Sequence, residues 1–204
     1  MDLLYILGLV ATAAFAASGI LAALATRIDL FGAVVVAVVT AVGGGTVRDL
    51  ILDVPVFWIH DQAWLFVASL TGVFAFSARR QLNAGSNALA YLDAMGVALF
   101  GSGALLKCTA LGIPLSHGVA MGVVTAIGGG LIRDTLTGRD TLLVSPELYA
   151  TPIIAGLTLQ ALLVGLSGLD DSTALLIGAV SIFTFRALAI RWHWRMPDIA
   201  INKP

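Results

Sequence analysis

The chain has 204 residues, of which 59% are hydrophobic and only 11% are charged, whereas an average soluble protein is about 25% charged. A soluble domain of this size exposes too much surface to hide so much apolar material. The composition therefore excludes an ordinary cytosolic enzyme, a disordered chain and a nucleic-acid binder, and it predicts a polytopic membrane protein. The net charge of −1 favours no charged partner.

Seven segments between the charged residues are long enough to cross a bilayer, whose core of about 30 Å needs roughly 20 apolar helical residues. In chain order these segments are residues 3–26, 30–47, 62–78, 81–106, 108–132, 148–169 and 172–190, with Asp93 inside the fourth and Arg186 inside the seventh. They lack the alternation of β-barrel strands, and backbone hydrogen bonds in lipid must close within the segment. We therefore predict an all-α fold of seven transmembrane helices.

The connections between the segments carry turn residues and are short. Residues 53–55 (Asp-Val-Pro) end the second segment, residues 83–87 separate the third from the fourth, and residues 169–172 separate the sixth from the seventh. The first segment is too long for a signal peptide, and no positive stretch precedes it, so we expect it to remain as a helix. No soluble domain fits into these loops, and residues 1–204 form one predicted membrane domain.

The basic residues are distributed unequally between the two predicted sides of the membrane. One side carries two of them, Arg48 and Lys107, and the other carries nine: Arg27, Arg79, Arg80, Arg133, Arg139, Arg186, Arg191, Arg195 and Lys203. Because cytoplasmic loops are enriched in Lys and Arg, we predict an inner (plasma) membrane protein whose N-terminus lies outside and whose C-terminus lies in the cytoplasm.

The chain contains an internal repeat. Residues 39–49 and 124–134 are identical at eight of eleven positions, at a constant offset of 85, and both copies contain Gly-Gly-Gly followed by Arg-Asp. Each copy falls in the second of three predicted helices. Three helices reverse the side on which the next copy starts, so the copies must be inverted. We predict repeat one at about residues 3–80, repeat two at about 87–168, and an extra helix at about 172–190, an architecture known from solute carriers.

The glycine triplets and Arg-Asp pairs allow two interpretations. Three consecutive glycines cost a helix roughly 1 kcal/mol each relative to alanine, so the first interpretation predicts kinks or breaks that free backbone carbonyls and line a conduction path, with the arginines at its gates. In the second, the glycines allow close helix packing and the charges form ion pairs at the helix ends. The residues concerned are Gly43, Gly44, Gly45, Arg48, Asp49, Gly128, Gly129, Gly130, Arg133 and Asp134.

Two further charged residues are candidates for the same site. Asp93 lies twelve residues into the fourth segment, and an ionisable group at membrane depth is a functional candidate because its burial is costly. The alternative is that it pairs with an arginine or a backbone group of a neighbouring helix. Lys107 ends the fourth segment and either reaches the interface or gates a pore.

The sequence predicts neither a cofactor nor an enzymatic centre. Its single cysteine, Cys108, cannot form an intrachain disulfide, and its three histidines are far apart and outside any metal-binding spacing. A GxGD-like pair of aspartates and a serine nucleophile with a partner histidine, as intramembrane proteases would need, are also missing.

The paired GGGxxRD segments at residues 43–49 and 128–134, with seven predicted helices in 204 residues, resemble the prokaryotic branch of the TRIC family of trimeric intracellular cation channels. Residues 55–59 (Pro-Val-Phe-Trp-Ile) are similar to that family as well. The resemblance covers nearly the whole chain, and two copies at this spacing make it specific.

The resemblance implies a homotrimer in membrane lipid, each protomer with its own pore for monovalent cations, chiefly K⁺ with Na⁺ as a further permeant ion. It places the glycine triplets at bends of pore-lining helices two and five, and the Arg-Asp pairs near the pore mouths. Residues 46–49 read Thr-Val-Arg-Asp where animal members carry a lysine-containing lipid-binding motif, so phosphoinositide binding is not implied. Some bacterial relatives are described as glycine uptake proteins, which leaves a carrier for a small zwitterion as the alternative.

Overall fold

The computed structural model describes residues 3–78, 87–167 and 169–196, which form seven α-helices and one short 3₁₀ helix, Leu142–Val144. The α-helices are α1 Leu3–Ala23, α2 Leu30–Ile51, α3 Ala63–Ser77, α4 Ala88–Ala110, α5 Leu115–Leu136, α6 Ala150–Ser167 and α7 Asp171–Trp192. The predicted all-α fold is confirmed. Several residues used in the predictions lie outside the described ones, namely Arg79, Arg80, Lys203 and residues 83–86 of the third turn.

Five helices are long and apolar enough to cross a membrane: α1, α2, α4, α5 and α7. The remaining two are shorter. The 15 residues of α3 extend over only about 22 Å at 1.5 Å per residue, and the apolar part of α6 covers residues 150–166. The third uncharged segment therefore contains a helix shorter than the bilayer core, packed on the long helices α1 and α2.

Local sequence signals explain where several helices begin. The carboxylate of Asp29 accepts a hydrogen bond from the backbone N–H of Gly32 at 2.8 Å, and Asp170 accepts one from Thr173 at 3.0 Å. Both aspartates are N-caps, of α2 and α7 respectively, and each satisfies a backbone donor that has no partner within its helix.

The predicted boundary between the fourth and fifth helices at Lys107 is wrong. The helix α4 continues past it to Ala110, and α5 begins only at Leu115. The real boundary is the turn around Gly112, which has a φ of +73°, and Pro114, which precedes the first residue of α5. A charge at a helix end does not stop the helix, whereas glycine in the left-handed region and proline do.

The centre of the molecule is formed by the first two helices of each predicted repeat. α1 packs against α2 and α4, and α5 packs against α2 and α4. The stacked rings of Phe15 and Phe100, with centroids 5.7 Å apart, join α1 to α4 within a continuous apolar core. α3 covers α1 and α2 on one side, while α6 and α7 cover α4 and α5 on the other.

Candidate functional site

Gly44 and Gly129 lie where α2 and α5 cross in direct backbone contact. A Cβ atom built on Gly44 would overlap the carbonyl oxygen of Thr125, and one built on Gly129 would overlap the carbonyl oxygen of Thr40. A Cβ on Gly128 would lie 3.1 Å from the Cα of Gly44. Because the obstacles are backbone atoms, which cannot rotate away, only glycine fits at this crossing.

The two contacts are copies of each other. Thr40 and Gly44 precede Thr125 and Gly129 by the same 85 residues that relate the sequence repeats. Moving along α2 from Thr40 to Gly44, the partner on α5 moves back from Gly129 to Thr125. The two helices are therefore antiparallel, and the crossing has the local two-fold symmetry that an inverted repeat requires.

The predicted break at the glycine triplets is wrong. Both α2 and α5 are continuous α-helices through residues 43–45 and 128–130, so no backbone carbonyl is freed there. The helix tolerates the low propensity of glycine because the triplets allow close packing on several sides: Gly43 lies against Ile132 and Gly45 against the ring of Phe57. The close-packing interpretation accounts for these contacts, and a bend without a break remains a prediction.

A first ion-pair cluster surrounds Asp49, which is fully buried near the end of α2. Its Oδ1 atom accepts hydrogen bonds from Arg48 Nε at 2.8 Å and from Lys107 Nζ at 2.7 Å. Its Oδ2 atom accepts one from the backbone N–H of Phe57 at 3.0 Å, and the Arg48 guanidinium lies 5.7 Å from the centre of the Phe57 ring. Two cations thus share a single carboxylate.

A second cluster surrounds Arg133, which is completely buried near the end of α5. It donates from Nε and Nη2 to the two oxygens of Asp134, at 2.8 and 3.1 Å, and from Nη1 to Asp93 at 2.8 Å and to Ser18 at 3.0 Å. Asp134 also accepts a hydrogen bond from the N–H of Leu142 at 3.2 Å. Here one cation is held between two carboxylates.

The clusters share the symmetry of the crossing but differ in their outer partners. Asp49 accepts from the N–H of Phe57 and Asp134 from that of Leu142, again 85 residues apart. Each arginine follows its crossing glycine by four residues, one helical turn of about 6 Å. Because α2 and α5 are antiparallel, the two clusters lie on opposite sides of the crossing, and only the second includes a second carboxylate.

Asp93 lies nearer to the end of its helix than the sequence predicted. α4 begins at Ala88, so Asp93 is only five residues from its first residue rather than twelve into an uncharged span. It is completely buried, with 0% of its surface accessible. Its Oδ1 atom pairs with Arg133, while its Oδ2 atom has no hydrogen-bond partner among the described residues. The arginine-partner alternative is the one that the geometry shows.

Arg186 is buried and joins α7 to the residues just before α6, a role that was not predicted from the sequence. This residue of α7 is 2% exposed; its guanidinium donates to the carbonyl of Leu148 at 2.7 Å and lies 4.5 Å from the centre of the Tyr149 ring. Its position six residues before the end of the helix, inside the predicted apolar segment 172–190, was the available signal, since a charge there needs a partner inside the protein.

A cavity of about 350 Å³ opens beside the first cluster. Three aromatic rings, those of Phe57, Trp64 and Phe100, form part of its wall, and the other walls include aliphatic side chains. Its charged lining residues are Arg48, Lys107 and Asp171. In the part of the chain that the structure describes, no group of three or more potential metal-ligating side chains occurs.

These features define a class: a polytopic helical membrane protein made of two inverted, glycine-crossed repeats. The sequence profile of the family described as glycine transporter matches twice, at residues 5–80 and 90–164. The inner membrane protein YadS of Escherichia coli K12 is 41% identical over 98% of both chains, and YvgT of Bacillus subtilis is 33% identical over 97% of this chain and 95% of its own.

Solved structures give the same result. The trimeric intracellular cation channel orthologue of Rhodobacter sphaeroides superposes with a TM-score of 0.89 at 31% identity, covering 95% of this chain and all of that one. A second TRIC cation channel structure, 27% identical, also has a TM-score of 0.89 and covers both chains completely. The chain belongs to the TRIC family, and the resemblance predicted from the GGGxxRD segments is confirmed.

Proposed function

We propose that the protein is a passive cation channel of the inner membrane, with K⁺ as the main permeant ion and Na⁺ as a further one. The observation that carries this proposal is the antiparallel crossing of α2 and α5 with a buried ion-pair cluster about one turn away on either side. The similarity to two solved TRIC cation channels supports it. The proposed assembly is a homotrimer with one path in each protomer, and we keep the repeat boundaries predicted from the sequence.

The proposed path follows the faces of α2 and α5 that meet at the crossing. Its two clusters contain three carboxylates, of Asp49, Asp93 and Asp134, and three cations. Carboxylates lining a pore favour cations, but here every one is paired with a basic side chain. Cation passage therefore requires that a basic side chain moves away from its carboxylate. The pore and gating residues we propose are Gly43, Gly44, Gly45, Arg48, Asp49, Asp93, Lys107, Gly128, Gly129, Gly130, Arg133 and Asp134.

The direct test is K⁺ flux into liposomes that contain the purified protein, followed by planar-bilayer recording under a KCl gradient. We expect a current whose reversal potential lies near the equilibrium potential of K⁺ rather than that of Cl⁻. Flux no greater than in empty liposomes, across several voltages, would refute the channel. The exposed Arg27 provides a control, because Arg27→Gln changes a charge away from both clusters and should leave the current unchanged.

The proposed orientation has the N-terminus outside and the C-terminus in the cytoplasm. A green fluorescent protein fused to the C-terminus should therefore fluoresce, and an N-terminal tag should be accessible to protease added outside spheroplasts. The opposite pattern would reverse the orientation without affecting the channel proposal.

The second candidate function is transport of a small zwitterion such as glycine, which the description of the matching family favours. Saturable uptake of labelled glycine into proteoliposomes, without single-channel currents, would establish this function instead. The two functions make opposite predictions for conductance, since a carrier moves one substrate per conformational cycle whereas an open channel passes ions continuously.

A further inference from the structure

We propose that the cavity beside Arg48 is a binding site for a small organic carboxylate with an apolar body. The inference goes beyond cation conduction, and it does not depend on whether the chain is a channel or a carrier. It rests on three observations about the cavity: an excess of positive charge in its wall, unused hydrogen-bond donors, and an aromatic wall.

The excess of positive charge lies in the wall of the cavity. Arg48 and Lys107 both form ion pairs with the single carboxylate of Asp49, which is fully buried. One positive charge is therefore left uncompensated within this group. Asp171 also lines the cavity but is exposed, where water and salt screen its charge. A bound anion would neutralise the second positive charge, for which Asp49 offers no further carboxylate.

The unused donors belong to Arg48, which is only 6% exposed. Its Nε atom donates to Asp49, but its two η nitrogens have no hydrogen bond to any other residue that the structure describes. The equivalent nitrogens of Arg133 bond to Asp93, Ser18 and Asp134. Guanidinium groups bind carboxylates through paired, nearly parallel hydrogen bonds, so the free edge of Arg48 fits a carboxylate of a ligand.

The remaining walls are apolar. The ring of Phe57 lies 5.0 Å from that of Trp64 and 6.4 Å from that of Phe100, measured between centroids. Small-molecule sites combine such walls with a few polar groups, in cavities of about 300–1,000 Å³, and this cavity is about 350 Å³. A ligand with one carboxylate and a branched aliphatic or aromatic body matches both parts, whereas inorganic phosphate matches only the charged end.

The test uses the full-length protein in nanodiscs of neutral lipid and isothermal titration with 4-methylpentanoate. The matched control ligand is 4-methylpentanamide, which has nearly the same shape without the charge. We expect the carboxylate to bind at least about tenfold more tightly than the amide, because hydrogen bonds between charged groups are stronger than those to a neutral amide. L-Leucine, tested in parallel, shows whether the ligand carries an ammonium group beside its carboxylate.

Two protein variants locate the binding. Lys107→Met should weaken carboxylate binding by about tenfold or more. Lys107→Arg keeps the positive charge and should preserve binding, and it remains informative if Lys107→Met fails to fold. Arg27→Gln, at an exposed cation away from the cavity, should bind as the wild type does. Equal affinity for the carboxylate and the amide, no binding by the wild type, or an equal loss in Arg27→Gln would overturn the proposal. Binding is measured without ion flux, so its failure is distinguishable from a failure of the channel proposal.

Discussion

The crossing of α2 and α5 can be tested with the smallest possible change, a single methyl group. Gly44→Ala would place a Cβ atom on the carbonyl oxygen of Thr125, and Gly129→Ala would place one on that of Thr40. Neither obstacle is the end of a flexible side chain, so one helix must shift away from the other. We expect each variant to be less stable than the wild type.

The magnitude follows from two opposing terms. Alanine is a better helix former than glycine by about 1 kcal/mol, which favours the variants. Overpacking a tightly packed contact costs about 1–3 kcal/mol, and a backbone obstacle favours the upper part of that range. We therefore expect a net loss of about 1–2 kcal/mol for each variant. The matched control is Gly103→Ala, whose Cβ would lie 3.9 Å from the nearest atom, Leu175 Cδ1, and which should be stabilised by about 1 kcal/mol.

The double variant Gly44→Ala/Gly129→Ala makes the reasoning stricter. Because both methyl groups press on the same crossing, the separation that accommodates one should partly accommodate the other. Its destabilisation should therefore be smaller than the sum of the single values, by more than the 0.5 kcal/mol or so within which independent sites add. The assay is thermal unfolding of the purified variants in one detergent, combined with K⁺ flux. A stability gain in Gly44→Ala like that of the control, or strict additivity, would refute the close crossing.

Two further predictions concern the charged residues. Arg133→Gln should destabilise the protein by about 3–5 kcal/mol, because it leaves buried carboxylates without their cation, whereas Arg48→Gln should cost clearly less because Lys107 still pairs with the shared carboxylate; unfolding midpoints of both variants measure the difference. The hydrogen bond from the Thr173 N–H holds the pKa of Asp170 below its usual range. The cap therefore stabilises the native state above the ordinary carboxyl pKa of about 4, and this contribution is lost as the pH falls through the lower pKa of the folded state. The stability of Asp170→Asn should depend less on pH in that acid range.

Each of these predictions has a clear opposite result. Equal losses in Arg48→Gln and Arg133→Gln would mean that Lys107 does not support the first cluster in solution. An unchanged acid dependence in Asp170→Asn would mean that the cap of α7 is not formed. Asp29, which caps α2 in the same way, serves as the comparison, since Asp29→Asn should leave the contribution of Asp170 intact.

The sequence was sufficient to predict the fold because membrane insertion depends on local composition. Seven segments with at most one charge each correspond to seven described helices, and the repeated Gly-Gly-Gly and Arg-Asp residues indicated an inverted duplication. Helix ends were predicted less well. Lys107 was taken as a boundary, although lysine is a good helix former and its side chain reaches a carboxylate on another helix.

The contacts within the site could not be predicted because they join distant parts of the chain. Arg133 bonds to Ser18, 115 residues away, and Lys107 to Asp49, 58 residues away. Helical propensity describes a glycine triplet as weak, yet at Gly44 the absence of a side chain is what allows the second helix to approach. A single-helix rule thus predicted a break, while the packing of two helices explains a continuous one.

The inverted repeat also separates what is structural from what is specific to each half. Features present in both copies, such as the crossing glycines and the carboxylates that accept the N–H groups of Phe57 and Leu142, build the scaffold. Features present in one copy distinguish its two ends. Asp93 and Ser18 complete the bonding of Arg133, whereas Arg48 faces a cavity with its outer donors unused. On the path proposed above, an ion that enters from the Arg48 end would therefore meet the cluster with unused donors first, and the Arg133 cluster only beyond the glycine crossing.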